Sequence, residues 1–166
     1  MPERTYGIRE LANWILDYAD ENRQPLTNMS LNKLVYFAYA HALVNYNRKL
    51  SSAKIEAWEH GPVFREIYHS FKNFGSGNIT NRASKYNAAT NVVEIVEPVL
   101  SERDQAIIKE ALGNLIRLPA AVLREISHAS GGAWDRTWHH EGYSNPGMQI
   151  TDHVILAAAD RKGLLQ

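Results

Sequence analysis

No cysteine occurs anywhere in the 166 residues. Disulfides, thiol nucleophiles and thiolate metal sites are therefore excluded. Net charge is missing too, because lysine plus arginine number 18 and aspartate plus glutamate also number 18. A neutral chain exerts no overall pull on nucleic acid or on an anionic membrane, and only a local basic patch would restore such a partner. Apolar runs long enough to span a bilayer are absent. The opening residues, Met1-Pro2-Glu3-Arg4-Thr5, carry no apolar core of a signal peptide. The expectation is a soluble protein that stays in the cytoplasm where it is made. What is present is globular composition, 45% hydrophobic and 22% charged. The length suits one domain, residues 1–166, with a sizeable core.

Catalytic and cofactor motifs are likewise scarce. Gly75-Ser76-Gly77-Asn78-Ile79-Thr80 lacks the third glycine of a dinucleotide loop and follows a predicted helix rather than a strand. Neither a phosphate-binding P-loop nor a glycine-flanked serine elbow occurs. Ser127 and His128 are adjacent, but a dyad needs convergent side chains and an orienting third group. Of the seven histidines, His139-His140-Glu141 is the densest group. Neighbours on a helix point about 100° apart, so zinc there would need ligands such as His128 or His153 from elsewhere. The expectation is a protein that is not an enzyme and holds no cofactor or metal.

The pattern of apolar residues predicts a mostly α-helical single domain of about six or seven helices. Ile8, Leu11, Ala12, Ile15 and Ala19 mark a first helix over about residues 6–20. Asn28 to Tyr46 is apolar nearly all round and is placed at the centre, with Leu31, Leu34, Val35 and Ala38 inward and Thr27 or Ser30 as its cap. Its polar members Asn32, Lys33, His41 and Asn45 need water or named partners. Residues 55–60 read as a short extended piece. Proline suits a first helical position, so Pro62 is expected to begin a helix running to about residue 73. Residues 75–89 form a loop or hairpin, and a short β element is expected near residues 78–97, with Val92, Val93, Ile95 and Val96 in one strand. Ser101-Glu102-Arg103-Asp104 resembles a capping box ahead of Ile107, Ile108 and Leu112. Further helical segments begin at Pro119 and after Thr151, with a short turn at residues 134–138 and a loop at residues 143–148.

One pair of motifs is more specific than any periodicity. Leu31-Asn32-Lys33-Leu34-Val35-Tyr36-Phe37-Ala38 is followed by Ile55-Glu56-Ala57-Trp58-Glu59-His60-Gly61-Pro62-Val63 and then by Tyr68. Together they resemble the signature of the Panacea-domain antitoxin family, with Asn32 standing where that family often has glutamine. The resemblance extends back to the helix around residues 11–18 and forward through Ser127-His128 and Trp134. It implies a mostly helical, phage-associated bacterial domain that neutralises a cognate toxin protein by direct binding. In one branch such a protein is an adaptor that presents its toxin to an ATP-dependent protease.

The residues of the signature admit two readings. In the structural one, Leu34 is core, Trp58 anchors the extended piece, Gly61-Pro62 starts a helix, and Lys33 pairs with Glu56 or Glu59. In the functional one, Lys33, Tyr36, Glu59, His60 and Tyr68 edge a common groove that receives the toxin, while the loop over residues 75–91 adds specificity. The runner-up function is a DNA-binding regulator of a prophage operon. It is a poor fit, because the segment from Pro119 to Ser127 offers Arg124 as its sole cation for a recognition helix. Self-association into a homo-oligomer is left open.

Overall fold

A computed structural model describes residues 3–159. Seven α-helices occur among these residues: α1 (Ile8–Glu21), α2 (Asn28–Tyr46), α3 (Arg65–Phe71), α4 (Glu102–Leu112), α5 (Ala120–Ser127), α6 (Ala133–Trp138) and α7 (Asp152–Ala159). Five short strands also occur among them: β1 (Ile55–Trp58), β2 (Gly61–Val63), β3 (Ser84–Asn87), β4 (Val92–Ile95) and β5 (Met148–Ile150). None of the described helices is long and apolar enough to cross a membrane.

Helix α2 is the spine. It packs against α1, α3, α4, α5, α7 and β2, as its nearly continuous apolar surface requires. Leu31, Leu34 and Ala42 are wholly buried. Thr27 opens the helix by accepting a hydrogen bond from the backbone N–H of Ser30 at 3.1 Å, which satisfies a donor that the first turn leaves without a partner. Asn47 closes it in the left-handed region, φ 48°, a conformation that asparagine tolerates.

The capping box at the start of α4 forms by half. Ser101 Oγ accepts from the N–H of Asp104 at 3.1 Å, but the Asp104 carboxylate does not accept from the backbone N–H of Ser101. The N–H of Ser101 donates instead to the Tyr6 hydroxyl, 3.1 Å away. Asp104 faces inward, where it accepts from Tyr6 Oη (2.6 Å), Arg48 Nε (3.1 Å) and Arg48 Nη2 (3.0 Å). Burial pushes its carboxyl up, and the hydrogen bonds from Arg48, Tyr6 and Ser101 outweigh this and hold it below the usual carboxylate range. The node ties the segment before α1, the end of α2 and the start of α4 to one charge pair.

Two antiparallel sheets are present among the described residues. Strands β3 and β4 form a hairpin inside the expected 78–97 region, and Val92, Val93 and Ile95 stay exposed on it. Ile79, at the start of that region, lies outside both strands and donates its N–H to Leu26 O at 2.8 Å. The second sheet, ordered β2-β1-β5, is a correction to the expected single β element. Gly61, Pro62 and Val63 pair with Trp58, Ala57 and Glu56, so they are extended and not the first turn of a helix. That pairing holds the backbone out for three residues, and α3 begins only at Arg65. Residues 148–150, expected to be loop up to Met148, form β5 against β1, with Ile55 opposite Ile150. The expected turn at residues 134–138 is the helix α6.

Because Leu34 lies wholly inside the spine, Leu34→Ala is expected to cost about 2–5 kcal/mol, the usual range for emptying a buried leucine site. Urea unfolding checks this through a lowered midpoint.

Candidate functional site

The hairpin β1–β2 turns at Glu59-His60 and is gripped by the polar side of α2. Lys33, though charged, is only 1% exposed. Its Nζ donates to the carbonyl oxygen of Pro62 at 3.0 Å. One residue earlier in α2, Asn32 Oδ1 accepts from the backbone N–H of Phe64 at 2.9 Å. The Asn32 amide donates to Asn28 Oδ1 (2.9 Å), and the Asn28 amide donates to Tyr68 O (3.0 Å). Three side chains of one helix thus engage backbone groups of β2, of the junction residue Phe64 and of α3.

Gly61 makes this grip feasible. Its φ is +116°, and a Cβ at this position would lie 2.6 Å from both Lys33 Cε and Ser127 Oγ. Glycine alone allows that backbone angle and that approach of the lysine stem. From the other side, Trp134 Nε1 donates to Trp58 O at 2.8 Å. The anchoring of the extended piece therefore falls to the buried Trp134, while the Trp58 ring is half-buried.

Outward from this grip lies an open pocket of about 560 Å³. Buried Asn28, Asn32 and Lys33 form its floor. Met29, Trp58, Val63 and Tyr68 give it apolar and aromatic walls, with Tyr68 set edge-to-face on Trp58 at 4.8 Å and 65°. Exposed Glu59, His60, Lys72, Gly75 and Ser76 stand at its rim.

Four of the five nominated contact residues, Lys33, Glu59, His60 and Tyr68, therefore meet at one site. Tyr36 does not join them. It is 3% exposed, packs edge-on against Phe37, and burial pushes its phenol up. Helical spacing puts Tyr36 on the same face as Lys33, but one turn further along α2 that face is already core. Lys33 pairs with neither Glu56 nor Glu59. Glu56 is taken by Arg65, whose Nε and Nη2 each donate at 3.0 Å. Asn28, Met29 and Lys72 were missed by sequence reasoning. Met29 and Lys33 are four apart, as are Asn28 and Asn32, and helical spacing from the motif would have found the first two. Lys72 follows α3 and carries no such signal.

The electrostatics of the floor are unusual. Burial first, and then the charge of Arg124, lower Lys33 to about 7. Arg124 Nε donates to His60 Nδ1 at 3.2 Å. His128 stacks flat on Trp134, with centroids 3.7 Å apart, and burial followed by the charges of Arg124, Lys33 and His60 lowers it to about 4. Ser127 Oγ donates to Arg124 O at 2.7 Å, so Ser127 and His128 make no hydroxyl–imidazole pair. Elsewhere, His139 faces Asp135 at 2.9 Å and His140 faces Glu141 at 3.6 Å. Among the described residues no three histidine, cysteine or acidic side chains converge.

Comparison with known proteins identifies the family. A family model described as antitoxin SocA-like, Panacea domain, matches residues 31–135. The chain belongs to this family. Antitoxin SocA of Caulobacter vibrioides (strain NA1000 / CB15N) is 38% identical to it over 156 residues, covering 92% of this chain and 81% of that protein. No solved structure matches the chain significantly. In this SocA-like Panacea domain the matched span runs from the lysine-bearing turns of α2 into α6. It contains both halves of the grip and most of the pocket, and Asn28 and Met29 lie just ahead of it.

Two outcomes follow from the geometry. Gly61→Ala is expected to lower stability by about 1–3 kcal/mol, the usual cost of holding a side chain in a forbidden backbone region; a thermal melt reads it. Lys33 is a base whose folded-state value lies below its unfolded 10.5. The unfolded chain therefore binds more protons between about pH 7 and 10, and the lysine's contribution to stability rises with pH across that window. Wild type is expected to gain about 2 kcal/mol relative to Lys33→Met between pH 7 and 9, because a one-proton difference between the two states is worth about 1.4 kcal/mol for each step of one in pH. Urea titrations of both proteins at the two pH values check this.

Proposed function

We propose that the protein is the antitoxin of a toxin–antitoxin pair and neutralises a cognate toxin protein in the cytoplasm by direct contact, with no enzymatic step of its own. The observation that carries this reading is membership of the SocA-like Panacea family across most of the chain. The pocket beside the hairpin turn is its contact site. Support comes from its composition: an exposed tyrosine backed by a tryptophan, a flexible methionine, and a polar rim. Aromatic anchors of this kind dominate binding energy at protein interfaces.

Nothing favours the DNA-binding alternative. Leu123 and Ser127 of α5 are buried against the body of the domain, and its cation Arg124 is engaged with His60.

The test is co-expression with the protein encoded in the neighbouring reading frame, followed by co-purification. The neighbour is expected to arrest growth alone and to be harmless beside the intact chain. Tyr68→Ala is expected to weaken the complex by about 2 kcal/mol or more, as truncating an interface anchor does, with an unchanged circular dichroism spectrum. The lifetime of the toxin in the same cells separates simple blocking from delivery to a protease. A neighbour that is harmless alone, or that stays toxic beside the intact protein, contradicts the reading.

A further inference from the structure

The pocket concentrates positive charge in a chain that has no net charge. Lys33 and Lys72 line it, and Arg124 stands close enough to act on Lys33. None of the three forms an ion pair among the described residues. Glu56, which leads into the hairpin turn, is spent on Arg65, and Glu59 is an exposed carboxylate at the rim. Lys33 is the notable member. It is almost wholly buried, has three N–H donors, and makes one protein hydrogen bond, to Pro62 O. A charge buried without a counter-ion destabilises a fold, and a methionine of similar length would serve the packing at least as well. A site that retains the amine is suited to being completed by an anion from outside.

We infer that the pocket captures an acidic side chain of the toxin that neighbours an apolar one, the carboxylate closing on the Lys33 ammonium and the apolar group seating between Trp58, Tyr68 and Met29. This rests on the antitoxin reading for the identity of the partner, but not for the chemistry of the pocket. A carboxylate fits because it accepts from the spare ammonium donors. The apolar walls explain why it arrives beside a hydrophobic group and why the pair is shielded from water. The groups facing Lys33 act in one direction: Arg124 and His128 of the α5 end and His60 of the turn add no negative charge, and Glu59 is solvated. Contact with a carboxylate therefore returns the amine toward its ordinary value and takes up a proton above neutral pH.

The experiment uses the full chain with 3-phenylpropionate as probe, its neutral amide 3-phenylpropanamide as control, and the co-purified toxin as competitor. Lysine side-chain NMR signals report the contact. The acid is expected to move the Lys33 signal and raise its titration midpoint, with the amide leaving both unchanged. Lys33→Met is expected to weaken binding of the acid and of the toxin by about tenfold or more, the usual worth of a charged hydrogen bond. The toxin is expected to displace the acid. Equal binding of acid and amide overturns the inference, and on the intact protein this comparison decides even if Lys33→Met does not fold. Acid that remains bound in the presence of toxin also overturns it. A toxin that binds elsewhere on the chain removes this inference and the pocket as contact site but leaves neutralisation by direct contact standing, so the two fail separately.

Discussion

The hydrogen bond from Lys33 to the Pro62 carbonyl holds the two halves of the family signature together. One half lies on α2 and the other on the hairpin β1–β2, separated by nearly thirty residues of chain. The bond reaches its acceptor because Gly61 has no side chain and adopts a positive φ. Asn32 extends the same grip to Phe64, and Asn28 extends it to Tyr68. Without these contacts the hairpin would present unsatisfied backbone groups to an apolar helix, which costs more than the contacts themselves return. The pocket is a consequence. Once the turn is drawn down onto α2, Trp58, Val63 and Tyr68 must stand around the buried polar row, and the space between them stays open.

The grip also explains a cost accepted by the fold. A lysine that burial holds near neutrality is a poor structural element, because the protein must desolvate a charge that it leaves unpaired. Contrast the node at Asp104, where Arg48 and Tyr6 fully engage a buried carboxylate and tie three segments together. The two buried charges serve different ends. One is satisfied within the chain and secures the frame, and the other is left with spare donors beside an opening.

Much of the helical frame was legible in the sequence. Helix α2 has the bounds that its apolar run and the Thr27 cap imply, and Ser101 caps α4 as its spacing suggests. The sheet β2-β1-β5 was not legible. Its strands are three or four residues long, too short to show alternation, and Ile55 pairs with Ile150 from the far end of the chain. Pro62 misled because proline fits both a helix start and a strand edge; pairing with Ala57 decides between them. At the site, Lys33, Glu59, His60 and Tyr68 were found because the motif halves meet there. Tyr36 was misplaced because helical period reports a face but not how deeply each turn of it is buried. The rim residue Lys72 depends on where α3 ends, which no local pattern reveals, whereas Gly75 and Ser76 open the loop that its glycine and serine content marks.

The most direct measurement of the central claim is backbone hydrogen exchange of the protein, free and in complex with the toxin that co-purifies with it. Binding at the pocket predicts slowed exchange at the Glu59-His60-Gly61 turn, through Tyr68, and across Lys72 to Ser76, with the exposed hairpin β3–β4 unchanged. Protection confined to β3–β4 or to the α6–α7 side, with the turn and the pocket rim exchanging as in the free protein, would contradict the account.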